Sequence, residues 1–197
     1  MVYCIWEDTE KACQLDGAVG VRAVLSSRDL AEASMMLLPR ATRFAVMSAE
    51  EGAADVQDAC DEFDRCGVDY RVEALSYGQP YGDAIISAAK KGYSAVILPY
   101  FELSAGGVDM GESKGDTAII AVGEGEPVKG ALATFCVDAQ ALSSDTARLF
   151  ERFLSGDGEA RSIEGRYYRL CVSESVKECF DADVEGAGER FSVTVTE

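Results

Sequence analysis

The sequence predicts an α/β fold: a doubly wound, parallel, five-stranded sheet with a smaller C-terminal α/β extension. Three observations carry that expectation. Apolar runs of strand length alternate with segments of helical period along the first two-thirds of the chain. Two of these runs, at 95–98 and 117–122, are apolar at nearly every position, as strands covered on both faces must be. Glycine or proline stands between the segments, where the chain has to turn. Strand–helix–strand units of this kind build a parallel sheet through right-handed crossovers.

The first strand is read at 21–26. Ser27 and Asp29 then supply a cap for a helix at 30–38, which Pro39 ends because the residue before a proline is driven out of the α region. A second strand follows at 44–47. In the next helix, 54–66, Val56, Ala59, Cys60 and Phe63 recur at i, i+3, i+4 and i+7 and so share one face, with Gly67 as the stop. The third strand, 70–75, alternates polar and apolar residues. Pro80 suits the first position of a helix, where no amide donor is needed. That helix runs through Lys91 with Ile85, Ile86 and Ala89 inward, and Gly92 closes it. The strand at 95–98, a glycine-rich loop at 102–116 and the strand at 117–122 complete the sheet.

The run 123–127, two glycines and two glutamates ending in Pro127, marks a boundary. The expected domains are a Rossmann-like unit at 1–127 and an extension at 128–197. The extension reads as a strand at 131–137, a helix at 143–155 capped by Ser143 or Ser144 and stopped by Gly156, a strand at 166–172, a helix at 174–181 and an alternating strand at 191–195. A segment this short is marginal for an independent core, so it is expected to pack on the first unit or on a second subunit.

At 197 residues the chain is long enough for an ordinary apolar core. It contains no histidine, which excludes Ser-His-Asp and Cys-His catalysis, histidine-ligated zinc and histidine-ligated haem. The net charge is −17, a field that opposes nucleic acid and anionic membrane surfaces before contact. The seven cysteines include no C-x-x-C and no zinc-finger spacing; Cys4, Cys136 and Cys171 lie in apolar runs and read as small buried hydrophobes. The first residues have neither a basic start nor an apolar stretch of leader length, and no apolar run is long enough to span a bilayer, so a cytoplasmic location is expected.

Between about residues 20 and 123 the order of elements resembles the universal stress protein family, an adenine nucleotide alpha-hydrolase-like α/β fold. The matching residues are the strand leading into Ser26 and Ser27, the strand at 44–47 after an alanine-containing helix, the run from Gly67 through Gly78 and Pro80 into Ile85, Ile86 and Ala89, and the strand after Tyr93. The resemblance implies a dimerising α/β domain. Two features depart from that family. Ser26 and Ser27 stand where its first strand usually ends in an aspartate, and the glycines at 106, 107, 111 and 115 lack the G-x2-G step of its ATP-binding loop.

In an open parallel sheet, ligands bind beyond the carboxyl ends of the strands. The candidate ligand-binding residues there are Ser26, Ser27, Ser48, Tyr77, Gly78, Tyr100, Ser113 and Lys114. The hydroxyls and the one lysine offer polar contacts, and the tyrosines offer flat faces for a planar ligand. No catalytic residue and no metal site is marked by spacing, and a nucleotide is the cofactor class such a site admits. The leading expectation is a non-catalytic, homodimeric regulatory or small-ligand-binding protein. An enzyme with a nucleotide-type site at the strand ends, and an acidic scaffold that docks a basic protein, are the alternatives.

Overall fold

A computed structural model describes residues 2–5, 19–48, 56–75, 81–98, 117–123, 125–156 and 163–197, the side chains of 2–5 and of Tyr81 excepted. The chain divides into two compact units. One comprises Met1–Leu25 with Val137–Tyr168, the other Ser26–Cys136 with Arg169–Glu197, so the backbone crosses between them at 25/26, 136/137 and 168/169. The expected boundary at 127/128 lies inside the larger unit. Composition marked a turn there, whereas the real divisions fall within or beside strands and leave no compositional trace.

In chain order the elements are β1 (Val2–Ile5), β2 (Val19–Ala23), α1 (Ser27–Leu37), β3 (Arg43–Ser48), α2 (Gln57–Cys66), β4 (Asp69–Ala74), α3 (Tyr81–Lys90), β5 (Ala95–Leu98), β6 (Ala118–Gly123), β7 (Ala133–Val137), α4 (Ala139–Leu154), β8 (Ile163–Gly165), β9 (Tyr168–Ser173), α5 (Glu174–Phe180), α6 (Val184–Gly188) and β10 (Val193–Thr196).

The larger unit is built on a seven-stranded sheet ordered β10-β9-β7-β6-β5-β3-β4. Five neighbouring pairs run parallel. The β7–β9 pair runs in opposite senses: Asp138 N–H donates to the Tyr167 carbonyl (2.6 Å) and Ser173 N–H to the Leu132 carbonyl (2.9 Å). The helices cover both faces. Ala45, Met47, Val96, Leu98, Ile119 and Ala121 alternate onto one face and pack with Ala84, Ile85 and Ala88 of α3. On the opposite face Phe44 stacks on Phe63 of α2 at 5.0 Å, and Phe63 on Tyr70 at 5.5 Å. The sequence's reading of 95–98 as a strand covered on both sides is what the burial shows.

Two expected elements move. The strand read at 21–26 is β2, and it lies between β1 and β8 in a separate three-stranded parallel sheet of the smaller unit. An apolar run records that a strand will be buried, not which sheet takes it. The helix expected at 143–155 begins four residues earlier, because Asp138 caps it by accepting from Ala141 N–H (2.9 Å). Ser143 and Ser144 therefore lie within the helix on its exposed side. Elsewhere the punctuation works as read: Gly67, Gly92 and Gly156 close their helices with φ of +68°, +77° and +76°.

In the smaller unit, α4 lies against the short sheet through Leu142 and Leu149, which join Val21, Ala23, Val137 and Tyr167 in one core. Tyr167 donates its hydroxyl to Asp145 at 2.8 Å.

Candidate functional site

A parallel sheet places a site where its winding reverses. In the larger unit the chain moves from β3 outward to β4, then returns past β3 to lay β5 on its other side and continues through β6 to β7. The reversal therefore falls between β3 and β5. Val46 is level with Ile97 in their register, so Ser48 and Leu98 end two adjacent, co-directional strands. From these ends leave the connections 49–55 and 99–116. Divergence of two connections from neighbouring strands is what opens a crevice in this architecture.

Helix N-termini belong to the same end of the sheet. α1 runs back to the start of β3, so its first residues lie toward the carboxyl side of the strands. Ser26 is its N-cap: Asp29 N–H donates to Ser26 Oγ (3.2 Å), while Ser26 N–H and Oγ donate to Asp29 Oδ2 (3.2 and 2.9 Å). This is a reciprocal capping box, with Asp29 in the place of the usual glutamate. Ser27 is buried, and its Oγ accepts from Ala59 N–H (3.2 Å) in the first turn of α2. Both hydroxyls hold helix starts in position. Ser48 is buried at the end of β3, where its carbonyl accepts from Leu75 N–H at 2.7 Å and ties β3 to the chain leaving β4.

Of the eight candidate residues, the structure thus places Ser26, Ser27 and Ser48 on the carboxyl side of the sheet. Tyr77, Gly78, Tyr100, Ser113 and Lys114 lie outside the described residues. Gly78 and Tyr77 belong to the connection that follows β4, and the other three to the one that follows β5.

Sequence reasoning overlooked Gly123, the last residue of β6. A Cβ there would meet the Glu126 carbonyl oxygen at 2.6 Å and Thr134 Cγ2 at 2.9 Å. The glycine admits a tight return, helped by Val128 N–H donating to Thr134 Oγ1 at 2.9 Å. That return replaces the helix usual between parallel strands and drops Val128 and Ala131 into the core. The signal was present in the run 123–127 but was read as a domain boundary.

Two perturbed carboxylates stand out, Glu62 on α2 and Glu73 one residue before the end of β4. Glu62 on α2 has a side chain 2% exposed, paired with Arg65 (Nε, 3.0 Å, and Nη2) and with Arg28 Nε at 3.5 Å. Hydrogen bonding from Arg65 holds this carboxyl below its ordinary range against the opposing effect of burial. Burial pushes Glu73 upward, but the hydrogen bonds from Lys91 (2.6 Å) and the Tyr93 hydroxyl (2.8 Å) outweigh it and bring the group below its ordinary value. Arg43 completes that cluster by lying over the Tyr93 ring, 5.0 Å from its centre, and donating to Asp69. These are ion-pair networks that fasten secondary structure. Cys136 on β7 is buried and its thiol is pushed up to about 12, first by burial and then by neighbouring Cys171. A thiol held protonated is not a nucleophile. Among the described residues no cluster of cysteine, aspartate and glutamate could hold a metal ion, and no helix is long and apolar enough to cross a membrane.

No family model and no curated protein matches the sequence. Solved structures do share the fold. The ABC domain from Streptococcus pneumonia, solved in complex with L-Trp, is similar over 99% of this chain and 71% of its own, at 14% identity and a TM-score of 0.70. A substrate-binding protein with adhesive properties from Clostridium difficile, solved ligand-free and open, is similar over 96% of this chain and 69% of its own, at 16% identity and a TM-score of 0.65. A LacI family transcriptional regulator from Arthrobacter sp. FB24, solved with lactose, is similar over 77% of this chain and 63% of its own, at 15% identity and a TM-score of 0.55. These neighbours correct the resemblance to universal stress proteins. The two folds share alternating strands and helices over a hundred residues, but here the first strand belongs to a second sheet and the chain returns twice more across the division. The chain shares the α/β fold of these three solved structures.

Proposed function

We propose that this chain binds a small, soluble organic molecule without transforming it, and that the contacts gather where β3 and β5 end. One observation carries the reading: nearly the whole chain superimposes in fold on a domain whose structure holds L-Trp. The reading puts the site at the reversal of winding between β3 and β5, near Ser48, with Tyr100, Ser113 and Lys114 of the connection after β5 as the residues to test. The LacI-type neighbour was solved with lactose, so sugars and amino acids are the two ligand classes to try first. A chain of net charge −17 favours neutral or cationic ligands over phosphorylated ones.

Thermal shift and calorimetry against L-tryptophan, other amino acids, pentoses, disaccharides, AMP and ATP test this. A specific ligand at a hundred times its dissociation constant adds about 2.7 kcal/mol of stability. Stabilisation by an amino acid or sugar, reduced in Tyr100→Ala and Ser48→Ala, is the expected result. A response confined to nucleotides, or none across the panel, overturns the reading.

A further inference from the structure

We propose that the β10 edge of the seven-stranded sheet is a pairing surface for a second copy of this chain, with Thr194 on the two-fold axis. β10 and β4 are the two edges of that sheet. β4 carries Asp69, Arg71 and Glu73, the charges by which native proteins blunt an open edge. β10 is Val-Thr-Val-Thr, uncharged and β-branched throughout, with Val195 43% exposed. On a chain of net charge −17, this is a strip along which an identical molecule can approach.

The hydrogen-bond pattern of the edge is self-complementary and so fits a second copy of the strand. Leu170 N–H of β9 donates to the Ser192 carbonyl at 2.8 Å, and the parallel register pairs Val193 with Leu170 and Val195 with Val172. In a parallel ladder the residues flanking each such position bond inward, so Ser192, Thr194 and Thr196 face β9. Val193 and Val195 therefore direct N–H and C=O away from the sheet. An antiparallel copy centred on Thr194 sets Val193 opposite Val195 of the partner and Val195 opposite Val193. Each pair exchanges two hydrogen bonds, four in all, and Thr194 meets Thr194 as the close, non-hydrogen-bonded pair. The strand is thus its own complement, and the interface is isologous. In that register the two Glu197 residues lie about 20 Å apart along the strands at about 3.3 Å per residue, beyond the roughly 8 Å screening length at physiological salt. A four-residue edge is smaller than a stable interface requires, so the dimer depends on concentration.

Sedimentation equilibrium of the full chain over a range of concentrations reads the association directly. The wild type is expected to dimerise. Val195→Pro removes an outward N–H and no bond to β9, and is expected to weaken the dimer by at least about tenfold. Val72→Lys on the opposite edge is expected to leave it unchanged. Independently, Thr194→Cys in a Cys66→Ser, Cys179→Ser background is expected to form a covalent dimer under glutathione disulfide, since the close antiparallel pair has the Cα separation a disulfide needs, about 4.5 Å. A wild type that stays monomeric, a Val195→Pro dimer of unchanged strength, or a Thr194→Cys chain that cross-links no more than its parent overturns the proposal.

Discussion

The two units solve the same problem with very different means. The larger one buries β5 completely and β6 almost so, with helices on both faces, and its core includes Phe44, Phe63, Phe135, Ile97, Ile120 and Leu132. The smaller one has three strands among the described residues, and along all of α4 only Leu142 and Leu149 are buried. Phe150, Phe153 and Leu154 of that helix stay exposed, Leu154 by 68%. Burial of apolar area is the main favourable term in folding, so the larger unit should carry most of the stability and hold the most slowly exchanging amides. The contrast also shows why the strand ends of the larger unit are held firmly: they are set by a core packed on both faces.

Matched substitutions in the two units sharpen this contrast. The largest expected effect is in the cores. Leu132→Ala empties a fully buried position in the larger core and should lower stability by about 4–5 kcal/mol. Leu149→Ala should cost about 2–3 kcal/mol, since the thinly covered helix can collapse onto the cavity. Urea titration measures both, and equal costs would refute the contrast.

The glycines come next. Gly123→Ala drives a Cβ into the Glu126 carbonyl and should cost about 1–3 kcal/mol. Gly165→Ala in the smaller unit drives a Cβ to 2.8 Å from the buried Tyr167 ring, whose hydroxyl is held by Asp145, and should likewise cost about 1–3 kcal/mol in the same titration.

Acid should act on the larger unit through Glu62. Its folded-state value lies below its ordinary 4.5, so its contribution is present above that pH and is lost as pH falls through the lower, folded-state value. Urea midpoints measured from pH 7 to pH 3 should fall more steeply for wild type than for Glu62→Gln. Parallel curves would remove the carboxylate from the account.

The smallest pair is the helix caps. Ser26→Ala breaks a reciprocal capping box and should cost about 1 kcal/mol, while Asp138→Ala removes a single bond to Ala141 N–H and should cost about half that.

Most elements were legible in the sequence because their signals are local. Gly67 and Gly92 mark helix ends by adopting positive φ, and Ala95–Leu98 announces double-sided cover by having no polar position. Ser48 could be placed at a strand end for the same reason. What Ser26 and Ser27 do was not legible, since a serine near a helix start reads alike whether it caps, bonds a neighbouring helix or meets a ligand. Asp138 was missed because the serine pair at 143 and 144 offered an equally good local cap.

By itself the sequence determined that strands and helices alternate, which strands are buried, where helices stop, and that the surface is strongly acidic. Those properties follow from side-chain period, backbone freedom and charge, all of which act over a few residues or simply add. Only the tertiary structure decided that Val21 and Val46 lie in different sheets, that β3 sits between β4 and β5, and that β10 is left at an edge. Partner choice among strands depends on the combined burial of residues far apart in the chain, and no short stretch of sequence records it.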